Sequence, residues 1–219
     1  MSDEFDYISP IPEDRYNEVI VHLRNNFFAD EPLNKSVGLC LQGEPHTELE
    51  THSLNTLRDQ LSVMAIDKNT LEVCGVSLNG VCLPGDIQKE RDKLEKMTDE
   101  KFKRIFTLLY DLNESLDLFS KYNADKIFDA RILSVDSNYR GKGLGKGLIM
   151  QAVNVAREHD FKVIKGDATG MFSQKILISL GFELVHELKY ADHVDENGDQ
   201  IFKTPAPHES LKIMVKLLE

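Results

Sequence analysis

The chain has 219 residues, 41% of them hydrophobic and 29% charged, and its 26 Lys and Arg against 37 Asp and Glu give a formal net charge of −11. That length suits one ordinary domain, read as residues 1–219, and the composition is globular rather than disordered. An acidic chain without a Lys/Arg-rich block has no footprint for nucleic acid, and no apolar run approaches the ~18 residues of a membrane span.

The start, Met1-Ser2-Asp3-Glu4, is acidic, so no signal or transit peptide is expected, and Ser2 stands where a myristoylation site needs glycine. Cys40, Cys74 and Cys82 are odd in number and form no C-x-x-C. They argue against a disulfide framework or a zinc site, so no metal is expected and the reducing cytoplasm is the expected compartment.

Tyr7-Ile8-Ser9 reads as a short strand ending at Pro10. Pro12-Glu13-Asp14 opens a helix whose apolar positions Tyr16, Val19, Ile20, Leu23 and Phe27 recur at helical spacing. It should stop near Asp30-Glu31, because the residue before Pro32 is pushed out of the α region. A second, weaker helix is expected over residues 47–60. Residues 61–66 and 71–78 flank Asp67-Lys68-Asn69-Thr70 as a hairpin, closed by Pro84-Gly85. Residues 86–121 read as helical, with Thr98-Asp99 capping a fresh start and Phe102, Ile105, Phe106, Leu109, Leu112, Leu116 and Phe119 keeping a period near ~3.6. Strands are expected over 127–135, 161–166, 182–188 and 211–217, and helices over about 147–158 and 172–180. An acidic turn covers 192–200. Alternating strands and helices with hairpins at both ends predict one α/β domain on a mixed sheet.

The most informative stretch is Arg140-Gly141-Lys142-Gly143-Leu144-Gly145-Lys146-Gly147, between a strand and an apolar helix. Glycines there let backbone N–H groups approach an anion at a helix N-terminus. A Walker A loop fails twice, since Arg140 and Gly147 hold positions that require Gly and Ser or Thr. The dinucleotide pattern fails at Lys146 or at Leu148, depending on the starting glycine. R-x-x-G-x-G fits as Arg140, Gly143 and Gly145. From Ser137 to Arg157 there are four cations and no acid, which suits an anionic ligand. The segment resembles the pyrophosphate loop of the GNAT acetyltransferase superfamily.

Other segments resemble one branch of that superfamily, the insect arylalkylamine N-acetyltransferases. Residues 27–34 match its F-F-x-D-E-P-L-N, residues 132–141 its I-L-S-V-D-x-N-Y-R-G, Leu180-Gly181-Phe182 its L-G-F and Pro205-Ala206-Pro207-His208 its P-A-P-H. The likeness runs from about Tyr7 to Leu217. It implies the GNAT fold, a mixed, mostly antiparallel sheet with splayed central strands flanked by helices. It also implies acetyl-CoA as donor, a small primary amine as acceptor, and a monomer.

An aliphatic amine has a pKa near ~10 and arrives as an unreactive ammonium, so a base must take a proton before nitrogen attacks the thioester. The resemblance gives this role to Glu31, through an ordered water, with Asp30 and Pro32 beside it at the substrate. It gives Ser173 the part of acid toward the departing thiolate, whose thiol pKa is ~8.5; the alternative for Ser173 is a helix cap. Thr169 stands where the family carries a second serine, and Tyr190 is a weaker acid candidate. Leu133, Ser134 and Val135 would offer backbone groups to pantetheine. Arg140 and the N–H groups of Gly141, Lys142, Gly143, Leu144, Gly145 and Lys146 would hold the pyrophosphate. His208 is a candidate for the amine pocket, as are some apolar residues of the 86–121 insert. Lys165 and Lys175 read as solvated surface lysines more readily than as phosphate ligands. No spacing supplies the base that a cysteine acyl-enzyme needs.

The expected reaction is therefore direct transfer of acetyl from acetyl-CoA to an arylalkylamine of the dopamine, tyramine, octopamine or serotonin type, in a ternary complex. A polyamine or agmatine acceptor is the first alternative. A non-catalytic CoA-binding module, or a protein N-terminal acetyltransferase, is the lesser one.

Overall fold

Residues 4–218 are described by a computed structural model; the expectations placed on Met1, Ser2 and Asp3 lie outside the described residues. Seven strands form one sheet in the order β1-β2-β3-β4-β5-β7-β6. They are β1 (Phe5–Ile8), β2 (Val63–Asp67), β3 (Val73–Cys82), β4 (Ile127–Val135), β5 (Val163–Ala168), β6 (Glu183–Lys189) and β7 (Ser210–Leu217). Every neighbouring pair is antiparallel except β4 with β5. This is the mixed α/β sheet expected from the sequence.

Period-two alternation sends successive side chains to opposite faces. Val63 and Ala65 enter one apolar core, Met64 and Ile66 the other. The first core is covered by α7 (Leu144–Glu158) and α8 (Met171–Ser179), with Leu148, Ala152 and Ala156 of α7 buried completely. The second is covered by α1 (Tyr16–Asn26), α3 (Thr47–Leu57) and α5 (Glu100–Leu116), each burying one stripe.

Two features open the middle of the sheet. The β4–β5 ladder consists of only two pairs, Phe128↔Ile164 and Asp129↔Lys165, after which the strands diverge. On the other side of β4, Leu78 faces Ile132 while Asn79 faces Ala130, so Arg131 is the extra residue of a bulge. A bulge bends its strand and re-aims the side chain it carries. A Cβ on Gly80 would run into the Arg131 guanidinium, so a glycine there leaves room for it.

Two helical expectations change. Pro32 ends nothing by itself: α1 stops at Asn26, and Pro32 is the first residue of α2 (Pro32–Val37), with Glu31 as its N-cap. Proline suits that position because its missing N–H would have had no helical partner. Residues 86–121 form three helices, α4 (Asp86–Leu94), α5 and α6 (Leu118–Tyr122). Asp99 caps α5, its Oδ1 accepting from the N–H of Lys101 and Phe102 at 2.9 and 3.0 Å. Asp117, in the left-handed region at φ 37°, separates α5 from α6. Among the described residues no helix is long and apolar enough to cross a membrane.

Candidate active site

Beyond the last β4–β5 pair lies a small cavity of about 70 Å³, lined by Ala130, Arg131 and Leu133 of β4, by residues 166–169 and by Ser173. A larger cavity of about 910 Å³ lies beside it, walled by Ile105, Phe106, Leu109 and Tyr110 of α5 and by Glu31, Asp129 and Lys165. Phe27, Arg131, Asp167 and Thr169 line both spaces, so the two meet there. The expectation that the 86–121 insert supplies pocket walls holds for these α5 residues.

Glu31 borders the larger cavity. Its Oε2 accepts the N–H of Asn34 at 2.7 Å, while Oε1 is enclosed without a partner. Burial pushes this carboxyl above the usual range, and the Asn34 bond with the neighbouring Thr169 and Leu33 polar groups only partly counters it. Ser173 borders the smaller cavity, and its hydroxyl donates to Gly170 O at 2.9 Å. It is not the cap of α8, because Gly170 holds that position without a side-chain bond. Thr169 lies between the two, on the lining of both.

The loop before α7 has the form an anion site needs. Gly141 and Gly143 hold φ of +80° and +83°, and a Cβ on either would meet nothing within 4 Å. Gly143 caps α7 with no side-chain bond, and Gly147 donates back to Gly143 O at 3.0 Å. The N–H groups of Leu144, Gly145 and Lys146 precede that first helical bond and point out of the helix end. Gly145 has a different duty: a Cβ there would lie 2.9 Å from Ile176 Cδ1, so it lets α7 and α8 pack closely. Arg140 donates to Val135 O at 3.2 Å and to Asp30 Oδ2 at 3.3 Å, while Lys142 pairs with Glu4 at 3.2 Å. On β4, Leu133, Ser134 and Val135 pair with β3 and have no ladder partner on the β5 side. The Ser134 hydroxyl is occupied by His22 Nε2 at 2.9 Å. The open glycine cradle and the splayed strands therefore fit a pantetheine pyrophosphate, which backbone groups of residues 133–135 and 141–146 would hold.

The remaining candidates lie around this centre rather than on it. Asp30 is exposed, paired with Arg140 and Lys35, and does not line the larger cavity. Pro32 packs against Gly170. His208 also lies outside that cavity's lining; its Nδ1 accepts the N–H of Met171 at 3.1 Å, holding the start of α8. The Tyr190 hydroxyl donates to Thr169 O at 2.7 Å, and burial, with the Glu31 charge, pushes the phenol well above its ordinary value.

Lys165 is a correction. It is 5% exposed and belongs to a charged cluster in the wall of the larger cavity, with Asp129, Arg131 and Asp167. Burial opposes ionisation of Asp129, yet Lys165 and Arg131 hold its carboxyl well below the usual range. Burial likewise opposes the Lys165 charge, and Asp129 and Asp167 more than restore it. For Asp167, burial outweighs Lys165 and the carboxyl is raised. The visible signal was charge at alternate positions, Asp129 and Arg131 in one central strand and Lys165 and Asp167 in the next. Such residues face one side together and require partners when buried.

A parallel pair splayed beside a glycine-rich helix start, with a raised carboxyl in the lining of a second cavity, defines a CoA-dependent acyltransferase of the GNAT class. The acetyltransferase (GNAT) family model matches residues 118–175. The structure of arylalkylamine N-acetyltransferase 2 from Aedes aegypti is 50% identical, with a TM-score of 0.94 over 98% of this chain and 99% of that one. A mosquito arylalkylamine N-acetyltransferase like 5b is 28% identical, with a TM-score of 0.87 over 98% and 100%. A Drosophila melanogaster polyamine N-acetyltransferase, 20% identical with a TM-score of 0.86 over 98% and 100%, shares the fold. The chain belongs to the arylalkylamine N-acetyltransferase family of GNAT enzymes.

Proposed function

We propose that this enzyme acetylates the primary amine of an arylalkylamine of the dopamine, tyramine, octopamine or serotonin type by direct attack in a ternary complex. One observation carries the reading: Glu31 borders the large cavity, Ser173 the narrow one, and the two spaces meet at Phe27, Arg131, Asp167 and Thr169. Acetyl-CoA, when bound, supplies the acetyl thioester. Glu31 takes the ammonium proton, directly or through a water, and its raised pKa makes it a stronger base near neutrality. The aromatic and aliphatic wall from α5 receives the ring. Ser173 turns its hydroxyl from Gly170 O to the departing sulfur and gives it a proton, and the second proton lost by the acylated nitrogen restores the hydroxyl.

A polyamine or agmatine acceptor is the second reading, favoured by the acids Asp59, Asp86, Glu90, Glu114 and Asp117 among the cavity's lining residues. Coenzyme A release with tyramine, dopamine, serotonin, spermine and agmatine separates the two. A kcat/KM for tyramine well above that for spermine is expected, and the reverse order selects the second reading.

A further inference from the structure

The larger cavity carries its own ammonium. Lys165 Nζ lies 3.0 Å from Asp129 Oδ1 and 3.0 and 3.1 Å from the two oxygens of Asp167. The other Asp129 oxygen accepts from Arg131 Nε at 3.2 Å, and Asn113 donates to Asp167 Oδ2 at 2.7 Å. Both oxygens of Asp129 and both oxygens of Asp167 are thus engaged. The cluster also lies where the far end of an acceptor would come. Lys165, Asp167 and Thr169 alternate along β5 and its continuation, so they share a face, with about 7 Å per two residues. Thr169 adjoins Glu31. An acceptor whose amine is at Glu31 and whose chain follows β5 therefore brings its distal group to the Asp167–Lys165 pair.

We propose that Lys165 is a specificity-determining residue: its ammonium fills the anionic subsite of Asp129 and Asp167 that a distal ammonium would otherwise occupy, and so restricts the acceptor to monoamines. This rests on the amine acetyltransferase reading above and selects between its two acceptor classes. A neutral ring substituent packs beside the cluster without needing a counter-charge. A second cation meets a like charge whose partners are already taken, and like charges brought together across a contact cost enough to reject a ligand.

The test uses two arylethylamines of equal shape, 4-ethylphenethylamine and 4-(aminomethyl)phenethylamine, which differ in the charge at the far end, with tyramine as reference. For the wild-type enzyme, kcat/KM is expected to favour the ethyl compound by about 100-fold. Lys165→Met should narrow that ratio at least ~10-fold and raise turnover of spermidine relative to tyramine, whereas Lys165→Arg keeps the wild-type ratio. Because each ratio is taken on one enzyme preparation, a lower active fraction cancels. A wild-type ratio near one, with tyramine turned over, overturns the inference alone and needs no variant to fold. So does an unchanged ratio in Lys165→Met. Wild-type turnover of spermidine without turnover of tyramine overturns the inference alone, and absence of turnover with every amine overturns the acetyltransferase reading and this inference with it.

Discussion

The N–H of Asn34 lies 2.7 Å from Glu31 Oε2, so the carboxylate assigned as base is also the N-cap of α2. The cap fixes one oxygen, and the other is enclosed without a partner beside the acceptor cavity. A glutamine can keep the cap through its amide oxygen yet cannot take a proton. Glu31→Gln should therefore lower kcat by about 100-fold or more. The wild-type kcat/KM should fall as pH drops through the Glu31 pKa, which burial has raised, and the variant should lack that limb. Equal pH–rate profiles would falsify the base assignment.

The same raised pKa makes a prediction for stability. A folded-state pKa above the unfolded value means that the fold disfavours the charged form, so ionised Glu31 works against folding at neutral pH. Glu31→Gln should melt at the same temperature as wild type, or higher, while losing activity. A fall of several degrees would show that the charge holds the fold together instead.

Ser173 donates to Gly170 O and caps nothing, so removing its hydroxyl leaves the start of α8 intact. Ser173→Ala should cut kcat by about 100-fold with KM for acetyl-CoA little changed. Steady-state kinetics in both substrates check this. A variant that weakens donor binding while keeping its turnover number would assign Ser173 to binding.

Gly143 tests the anion cradle without a steric complication. Its φ is +83° and an added Cβ meets nothing within 4 Å, so alanine would act through backbone conformation alone. Left-handed backbone costs an L-residue about 1 kcal/mol, and relaxing it turns the N–H groups of the loop. Gly143→Ala should raise KM for acetyl-CoA about 10-fold, leaving KM for the amine near wild type. Calorimetric binding of CoA to wild type and variant gives the same comparison directly, and equal affinities would remove Gly143 from the cradle.

The glycine cradle was legible because it rests on a local pattern, strand, loop and helix in succession, whereas the splay of β4 from β5 was expected only through the family resemblance. Glu31 was legible through its motif, but its capping role was not, because Pro32 reads equally as the end of one helix and the start of another. Lys165 was misread because its alternation with Asp167 shows a shared face but not that the face is buried. Its neighbour Asp129 lies 36 residues away in sequence and meets it only where the parallel ladder runs out. His208 was read as a pocket residue from its motif, whereas its ring is turned toward the Met171 N–H by contacts no spacing reveals.

His22 carries a pH dependence of the fold itself. It is 5% exposed, its Nε2 lies 2.9 Å from Ser134 Oγ, and burial lowers its pKa to about 4 despite the nearby Asp136 charge and the Val73 backbone bond. The unfolded chain keeps a histidine near ~6.5. Between these values the unfolded state binds more protons than the folded one, so stability rises with pH across the window. The contribution is complete above about pH 6.5 and drains away as pH falls toward about 4. Going from about pH 7.5 to about pH 5 should cost about 2 kcal/mol through this residue alone. Urea denaturation of wild type and His22→Gln at both pH values isolates it: the loss on acidification should be smaller in the variant by about that amount. Equal losses in the two proteins would mean that His22 takes up its proton without unfolding pressure, and that the acid sensitivity lies elsewhere, for instance at His52, whose pKa burial also lowers to about 4.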